Sequence, residues 1–169
     1  MIKFATVNTK YGWLAMGGSG AGLDLLTLPK SSRKAALSKM KEFAPDAVEE
    51  TSAFGDLPNR LQRYFNGDKI LFTDRLDLSG ATTFQRAVWK ATISIPYGET
   101  RTYAWVAQQI GTPRALRAVG RALARNRFPI IVPCHRVVAS NGNLGGFRGG
   151  LALKKRLLEL EAGRLGELS

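Results

Sequence analysis

The stretch that decides the architecture is residues 103–137, YAWVAQQIGTPRALRAVGRALARNRFPIIVPCHRV. Its first half reads as two short helices broken at Gly111-Thr112-Pro113. Thr102 is placed to cap a helix over Tyr103–Ile110, because a threonine hydroxyl accepts from an otherwise orphaned first-turn amide. Glycine and proline then stop that helix. A second helix is predicted from about Arg114 to Ala124. At about 100° per residue, Leu116, Val119 and Leu123 cluster on one side, expected to face the core. Arg114, Arg117, Arg121 and Arg125 gather on the roughly opposite side, with Ala115, Ala118 and Ala122 along one flank. Such a pair resembles a helix-turn-helix. Guanidinium groups bind phosphates and small side chains permit close approach, so the second helix offers a surface for a nucleic-acid duplex. Gly120 costs about 1 kcal/mol against alanine in a helix interior, which points to close backbone approach there. A solvated basic face on an ordinary amphipathic helix has the same spacing.

The second half runs from the apolar Phe128–Val132 into Pro133-Cys134-His135-Arg136. It brings together the only cysteine and the only histidine of the chain. Taken singly, a lone cysteine is usually a small buried hydrophobe. A thiol becomes a nucleophile when a nearby base or positive charge favours its thiolate. His135 and Arg136 can supply both. Neighbouring side chains on a strand point apart, so the pair needs a turn at Cys134 or a bridging water. Downstream, residues 141–150 hold five glycines in ten positions, a loop whose backbone amides are available to a ligand.

Working toward the N-terminus, Phe84, Ala87, Val88 and Ala91 form one helical stripe behind a cap at Thr82 or Thr83. Pro96-Tyr97-Gly98 breaks the chain, and Leu151–Glu161 reads as a closing helix. Before Asp74–Ala81, which looks like a connection, the pattern is mixed. Lys3–Thr9, Trp13–Met16 and Leu23–Leu28 are strand-like runs, separated by turns at Lys10-Tyr11-Gly12 and Gly17–Gly22. Ser31 or Ser32 caps a helix to about Phe43. Asp56 caps another carrying Leu57, Leu61 and Phe65 and stopping at Gly67, and Ile70–Phe72 is a further strand candidate. The expected fold class is α+β: a small sheet-bearing domain over 1–78, then a mainly helical domain over 79–169.

Of 169 residues, 25 are basic and 13 acidic. Residues 1–80 carry 11 basic and 9 acidic side chains, whereas residues 81–169 carry 14 and 4. A strongly basic half beside a near-neutral one points to a polyanion partner. No apolar run is long enough to span a membrane, and the first residues lack a signal-peptide pattern. A single cysteine fits a reducing compartment. The expected location is therefore cytoplasmic, with no metal and no cofactor.

With these residues in view, Pro133-Cys134-His135-Arg136-Val137 resembles the active-site signature of the O6-alkylguanine-DNA alkyltransferases, also called methylated-DNA–protein-cysteine methyltransferases. Phe84-Gln85-Arg86-Ala87-Val88-Trp89, Ile95-Pro96-Tyr97-Gly98-Glu99-Thr100, Tyr103, Arg117-Ala118-Val119-Gly120, Asn126, Gly145-Gly146-Phe147 and Gly149-Gly150 follow the family's order and spacing. The match covers about residues 82–161, and residues 1–80 match only in general plan. The resemblance implies an RNase H-like N-terminal domain and a C-terminal domain whose helix-turn-helix enters the minor groove. It implies irreversible transfer of an alkyl group from O6-alkylguanine in duplex DNA to Cys134, once per molecule, with O4-alkylthymine a further candidate substrate.

Roles follow position by position from the resemblance. Cys134 is the acceptor, His135 takes its proton through a water, Glu161 orients His135, and Asn126 braces the turn. Tyr103 donates to the guanine ring. Val137 offers a backbone carbonyl and Arg148 a backbone amide to the base, with Phe147 and Pro129 also lining the pocket. Arg117 fills the stack left by the flipped base. Thr102, Arg114, Ala118, Arg121 and Arg125 complete the DNA surface. The chain is expected to act as a monomer, with cooperative binding along DNA left open. Phe147 stands where many members have tyrosine, and Asn126-Arg127-Phe128-Pro129 departs from the commoner Asn-Pro start. The metal ligands of some members are missing, and no Cys-rich regulatory domain is expected. Three rivals remain: a non-catalytic lesion-binding relative, a transcription regulator and a cysteine hydrolase.

Overall fold

The structure is a computed structural model that describes residues 1–163. The chain divides into two compact units, Met1–Leu78 and Ser79–Ser169. The final residues of the expected C-terminal domain, 164–169, lie outside the described residues. Among the described residues no helix is long and apolar enough to cross a membrane.

In the first unit, β1 (Lys3–Thr9), β2 (Gly12–Ser19) and β3 (Gly22–Leu26) form an antiparallel meander. Helix α1 (Arg33–Phe43) then leads to β4 (Val48–Glu49), which pairs parallel to β1 and gives the order β3-β2-β1-β4. Ser32 is the residue that caps α1, accepting from the Ala35 amide at 3.1 Å. Met40, Ala36 and Ala44 of this region pack with Phe4 and Ala15 on one face of the sheet. Leu14 and Met16 alternate with Ala15 and are equally buried, so the sheet is covered on both faces. Helix α2 (Leu57–Phe65) packs on β1 and buries Leu57, Leu61, Tyr64 and Phe65.

Three expectations for this unit are corrected. Gly17 and Gly18 belong to β2 rather than to a turn, and the reversal falls at residues 20–21. A Cβ on Gly17 would sit 2.6 Å from the Met40 Cε, so the glycine makes room for α1. Asp56 does not cap α2 through its side chain. Its carboxylate instead accepts from Arg60 Nε at 2.9 Å, while Arg60 also grips Asp74 with two bonds of 2.8 and 2.7 Å. Residues 70–72 are not a strand. That arginine clamp ties the segment beside them to α2, and Leu76 is the residue that bridges β3, at Leu23.

The second unit opens with α3 (Thr83–Ile93), where Thr82 and Gln85 form a reciprocal capping box. It continues with β5 (Arg101–Thr102), α4 (Tyr103–Gln109), α5 (Leu116–Ala124), a 3-10 turn (Cys134–Arg136), β6 (Val137–Val138) and α6 (Leu151–Glu161). Helix α5 packs against α3 and α4. The Trp89 indole donates to the Ala122 carbonyl at 2.9 Å, anchoring α5 on α3. Strands β5 and β6 pair in parallel, Arg101 with Val137 and Thr102 with Val138. This short ladder joins the start of α4 to the chain just after the cysteine turn.

The glycines of the first unit can be ranked by what surrounds them. Gly22 has φ +126°, and a Cβ there would lie 2.8 Å from the Arg75 carbonyl oxygen, whereas Gly20 has open space around it. Gly22→Ala should therefore cost about 2 kcal/mol or more in urea unfolding, through backbone strain and a clash with main chain. Gly20→Ala should cost less than about 0.5 kcal/mol.

Candidate active site and nucleic-acid interface

Cys134 lies on a 3-10 turn, so the reversal that a Cys-His pair requires is present. Its amide donates to the Val132 carbonyl at 2.7 Å. The buried Asn126 Nδ2 donates to the same carbonyl at 2.9 Å, and its Oδ1 accepts from the Phe128 amide at 2.8 Å. Asn126 thus ties the end of α5 to the cysteine segment. Between these bonds the chain turns tightly, with the Val132 amide donating to the Phe128 carbonyl at 2.8 Å. Ile130, at the apex, takes φ +75° although it is β-branched and only 2% exposed. A left-handed β-branched residue stores about 1–2 kcal/mol, and here the flanking bonds hold it.

Behind the turn lies a buried ionic cluster. The Glu161 carboxylate at the end of α6 accepts from Arg136 Nε at 2.8 Å and from Arg136 Nη2 at 2.9 Å. His135 Nε2 lies 2.7 Å from Glu161 Oε2. Burial opposes the charge on Glu161, but the His135 and Arg136 bonds more than offset it and hold the carboxyl far below the usual carboxylate range. Because Glu161 is ionised, Nε2 carries the proton and donates. Burial lowers the His135 pKa, with Glu161 pulling the other way. The imidazole is therefore neutral near pH 7, and its Nδ1 is also buried. Arg136 Nη1 donates further to the Ile95 carbonyl at 2.8 Å, tying in the Pro96-Tyr97-Gly98 break. Burial raises the Cys134 thiol, while Asn126 and then the charges of Lys154 and Arg148 pull it down.

The segment beside the cysteine turn is held by a residue that sequence reasoning missed. Lys154, on the first turn of α6, is fully buried. Its Nζ donates to the Val137 carbonyl at 2.7 Å and to the Gly146 carbonyl at 3.1 Å, joining β6 to the glycine-rich loop. Burial lowers its pKa to about 8. A signal was present: Lys154 lies on the buried face of α6 with Leu157, Leu160 and Glu161. Arg136, expected to act as a nearby charge, is also the clamp on Glu161. Tyr103, the first residue of α4, donates through its hydroxyl to the Gly146 carbonyl at 3.5 Å. Gly145, at φ +74°, would place a Cβ 2.6 Å from that hydroxyl, so the loop passes directly over the ring. Cys134, His135, Glu161, Asn126, Tyr103 and Val137 are thus brought into one region. Pro129 is buried and bridges Val132. Phe147 closes a turn with the Gly150 amide at 3.0 Å, and Arg148 is exposed.

On the helix pair, Thr102 caps α4 by accepting from the Trp105 amide at 3.0 Å. Two expectations for α5 are corrected. The helix begins at Leu116, so Arg114 lies on the preceding turn and not on the helical stripe. The Ala115 amide donates to the Thr112 carbonyl at 2.9 Å, and that turn delays the helix. Leu116 is 45% exposed; Val119, Ala122 and Leu123 form the buried side. Arg114, Arg117, Arg121 and Arg125 are all exposed, and Ala118 is half-buried.

The family model described as "6-O-methylguanine DNA methyltransferase, DNA binding domain" matches residues 83–163, which hold both the helix pair and the cysteine cluster. The methylated-DNA–protein-cysteine methyltransferase of Mycobacterium bovis is 42% identical over 164 residues, covering 97% of this chain and 94% of the relative. That of Methanosarcina mazei is 43% identical over 152 residues, covering 90% and 92%. A crystal structure of the Mycobacterium tuberculosis protein in complex with DNA is 42% identical, covers 96% of this chain and 94% of that one, and has a TM-score of 0.80. The chain belongs to the methylated-DNA–protein-cysteine methyltransferase family.

Two measurements test this electrostatic picture. His135 is held neutral, so as pH falls through about 6.5 the unfolded chain binds a proton that the folded chain does not. Stability should then fall with acidification by up to about 1.4 kcal/mol per pH unit, and His135→Gln should remove that slope between pH 7 and 5.5. Because Cys134 is the only thiol, alkylation by iodoacetamide reports it directly. Near pH 7, where Lys154 is still charged, Lys154→Met should slow alkylation several-fold, and Lys154→Arg should restore most of the rate.

Proposed function

We propose that this protein repairs alkylated DNA by direct reversal, moving the alkyl group from O6 of guanine in duplex DNA onto Cys134 once per molecule. The observation that carries this reading is the placement of the only cysteine on a turn backed by the buried His135–Glu161–Arg136 cluster. The histidine is neutral and can accept a proton. Through a water, His135 takes the thiol proton. The thiolate then attacks the alkyl carbon in line, forming a carbon–sulfur bond as the carbon–oxygen bond breaks. The electron pair left on guanine oxygen is stabilised by protonation or hydrogen bonding at the ring, supplied by the Tyr103 hydroxyl. In the resting site that hydroxyl rests on Gly146, and it turns to the base when guanine enters. The Val137 carbonyl, already oriented by Lys154, has a second lone pair for the guanine amino group. The Arg148 amide faces O6, and Phe147 and Pro129 line the pocket.

Flipping the nucleotide costs a few kcal/mol. Arg117 offsets this by occupying the vacated stack, while Thr102, Arg114, Ala118, Arg121 and Arg125 hold the minor-groove backbone. The α4–α5 pair, with its glycine turn, supports a helix-turn-helix. The order β3-β2-β1-β4, with β4 parallel to β1, supports an RNase H-like plan for residues 1–78, with residues 79–169 as the DNA-binding and acceptor domain. The protein acts as a monomer in the cytoplasm, on double-stranded DNA. A non-catalytic lesion binder is disfavoured because Cys134, His135 and Glu161 are all present and connected.

Incubation with excess O6-methylguanine duplex should add one methyl mass per chain, located on Cys134 by peptide mapping. Release of several equivalents of repaired base per chain would refute the single transfer. Cys134→Ser should abolish transfer and retain duplex binding. Arg117→Ala should slow repair of duplex by about tenfold or more while leaving reaction with free O6-alkylguanine within about twofold.

A further inference from the structure

Leu116 is the large apolar side chain of α5 that the fold leaves exposed. It opens the helix and is 45% exposed. The other exposed large apolar side chains described within residues 83–163 are Ile93 and Leu151. Leu116 differs from both in lying on the α4–α5 pair, with Arg114 two residues before it, Arg117 next to it and Arg121 five residues on, all exposed. Gly120 lies one turn along on the same face, and nothing comes within 4 Å of where its Cβ would be. The leucine therefore stands at the edge of an open helix floor, with exposed arginines before and after it along the chain. An apolar prong on a helix that also carries exposed cations matches a nucleic-acid groove at an opened base step. The phosphates take the arginines, and the exposed faces of unstacked bases take the hydrocarbon.

We infer that Leu116 is an apolar wedge that packs against the unstacked base step beside the flipped nucleotide, working with Arg117 to keep the duplex open. This rests on the reading that α5 enters duplex DNA. It assigns the two neighbours different tasks: the guanidinium fills the vacated position, and the isobutyl group covers the base face that flipping exposes. A residue with this task matters only while stacked bases must be separated.

The test compares wild type, Leu116→Ala and Leu116→Met on three substrates: a fully paired duplex holding O6-methylguanine, the same strand with the lesion opposite an abasic site, and free O6-benzylguanine. Leu116→Ala should keep its melting temperature within about 2 °C, as expected for a half-exposed side chain. It should react normally with the free base and slow about five- to tenfold on the paired duplex. The deficit should shrink to about twofold or less opposite the abasic site, where stacking is already broken. Leu116→Met keeps the apolar bulk and should react as wild type on all three. A Leu116→Ala protein that matches wild type on the paired duplex overturns the wedge. So does one that loses equally on all three substrates or melts more than about 5 °C lower, which would make Leu116 a packing residue. Failure of the underlying reading looks different: wild type itself would then show no preference for duplex over free base, and Arg121→Ala would leave duplex binding unchanged.

Discussion

The geometry of the cysteine segment depends on one buried carboxylate. Glu161 closes α6 and receives two bonds from Arg136 and one from His135. Through Arg136 the same cluster reaches the Ile95 carbonyl, so three separate stretches of chain meet at one charge. An arginine and a glutamate cancel, and the histidine stays neutral, so the buried group carries little net charge. Such a cluster adds little net stability compared with an apolar core, because both charges lose water. Removing one partner is a different matter, since a lone buried charge remains, at a cost of about 3–5 kcal/mol. The cluster therefore acts chiefly on conformation: it leaves the Cys134–Arg136 turn a single low-energy arrangement.

The other side of the turn is held by a second, neutral set of bonds. Asn126 spans from the end of α5 to Val132, and Ile130 is kept in a left-handed conformation between them. A strained β-branched residue persists only where its surroundings over-determine it. Here that strain falls between the basic helix and the nucleophile. Displacement of α5 has a direct mechanical path to Cys134 through Asn126, and displacement of α4 has another through the β5–β6 ladder. The surface proposed to meet DNA and the site proposed to react are thus joined on both flanks, by side-chain bonds of Asn126 on one and by a main-chain ladder on the other.

Much of this was legible in the residues. Helix caps are local chemistry, and Ser32, Thr82 with Gln85, and Thr102 act where the sequence places them. The α6 boundaries follow from a glycine pair before it and Gly163 after it. What escaped were features set by distant partners. Strands β4, β5 and β6 are two residues each and exist only because another strand lies alongside. Asp56 has the look of a cap but is taken by Arg60, which Asp74 has already recruited from far along the chain. Leu116 fits the apolar periodicity of α5 and yet is exposed, as the first residue of a helix that starts later than its composition indicates. Lys154 is the converse, a cation on a buried face that has meaning only once the Val137 and Gly146 carbonyls are known to converge on it.

The resting state of the cysteine bears on how a consumable acceptor avoids waste. A thioether is not reversed by thiol exchange, and the chain holds no second cysteine. Any stray electrophile that reaches Cys134 would therefore end that molecule's use. Burial raises the thiol pKa, so the nucleophilic form is scarce at rest. His135 is neutral and able to take the proton, and the charges of Lys154 and Arg148 already bias the site toward the thiolate. In the proposed reaction a flat base entering beside Cys134 removes further water and strengthens those charges, since Coulomb attraction grows as the local dielectric falls. Tyr103, proposed to donate to the base, has its hydroxyl engaged with Gly146 at rest. On the proposed mechanism, the reactivity of Cys134 is a property of the filled site more than of the free protein. That is the condition under which a single-use nucleophile can remain intact until its substrate arrives.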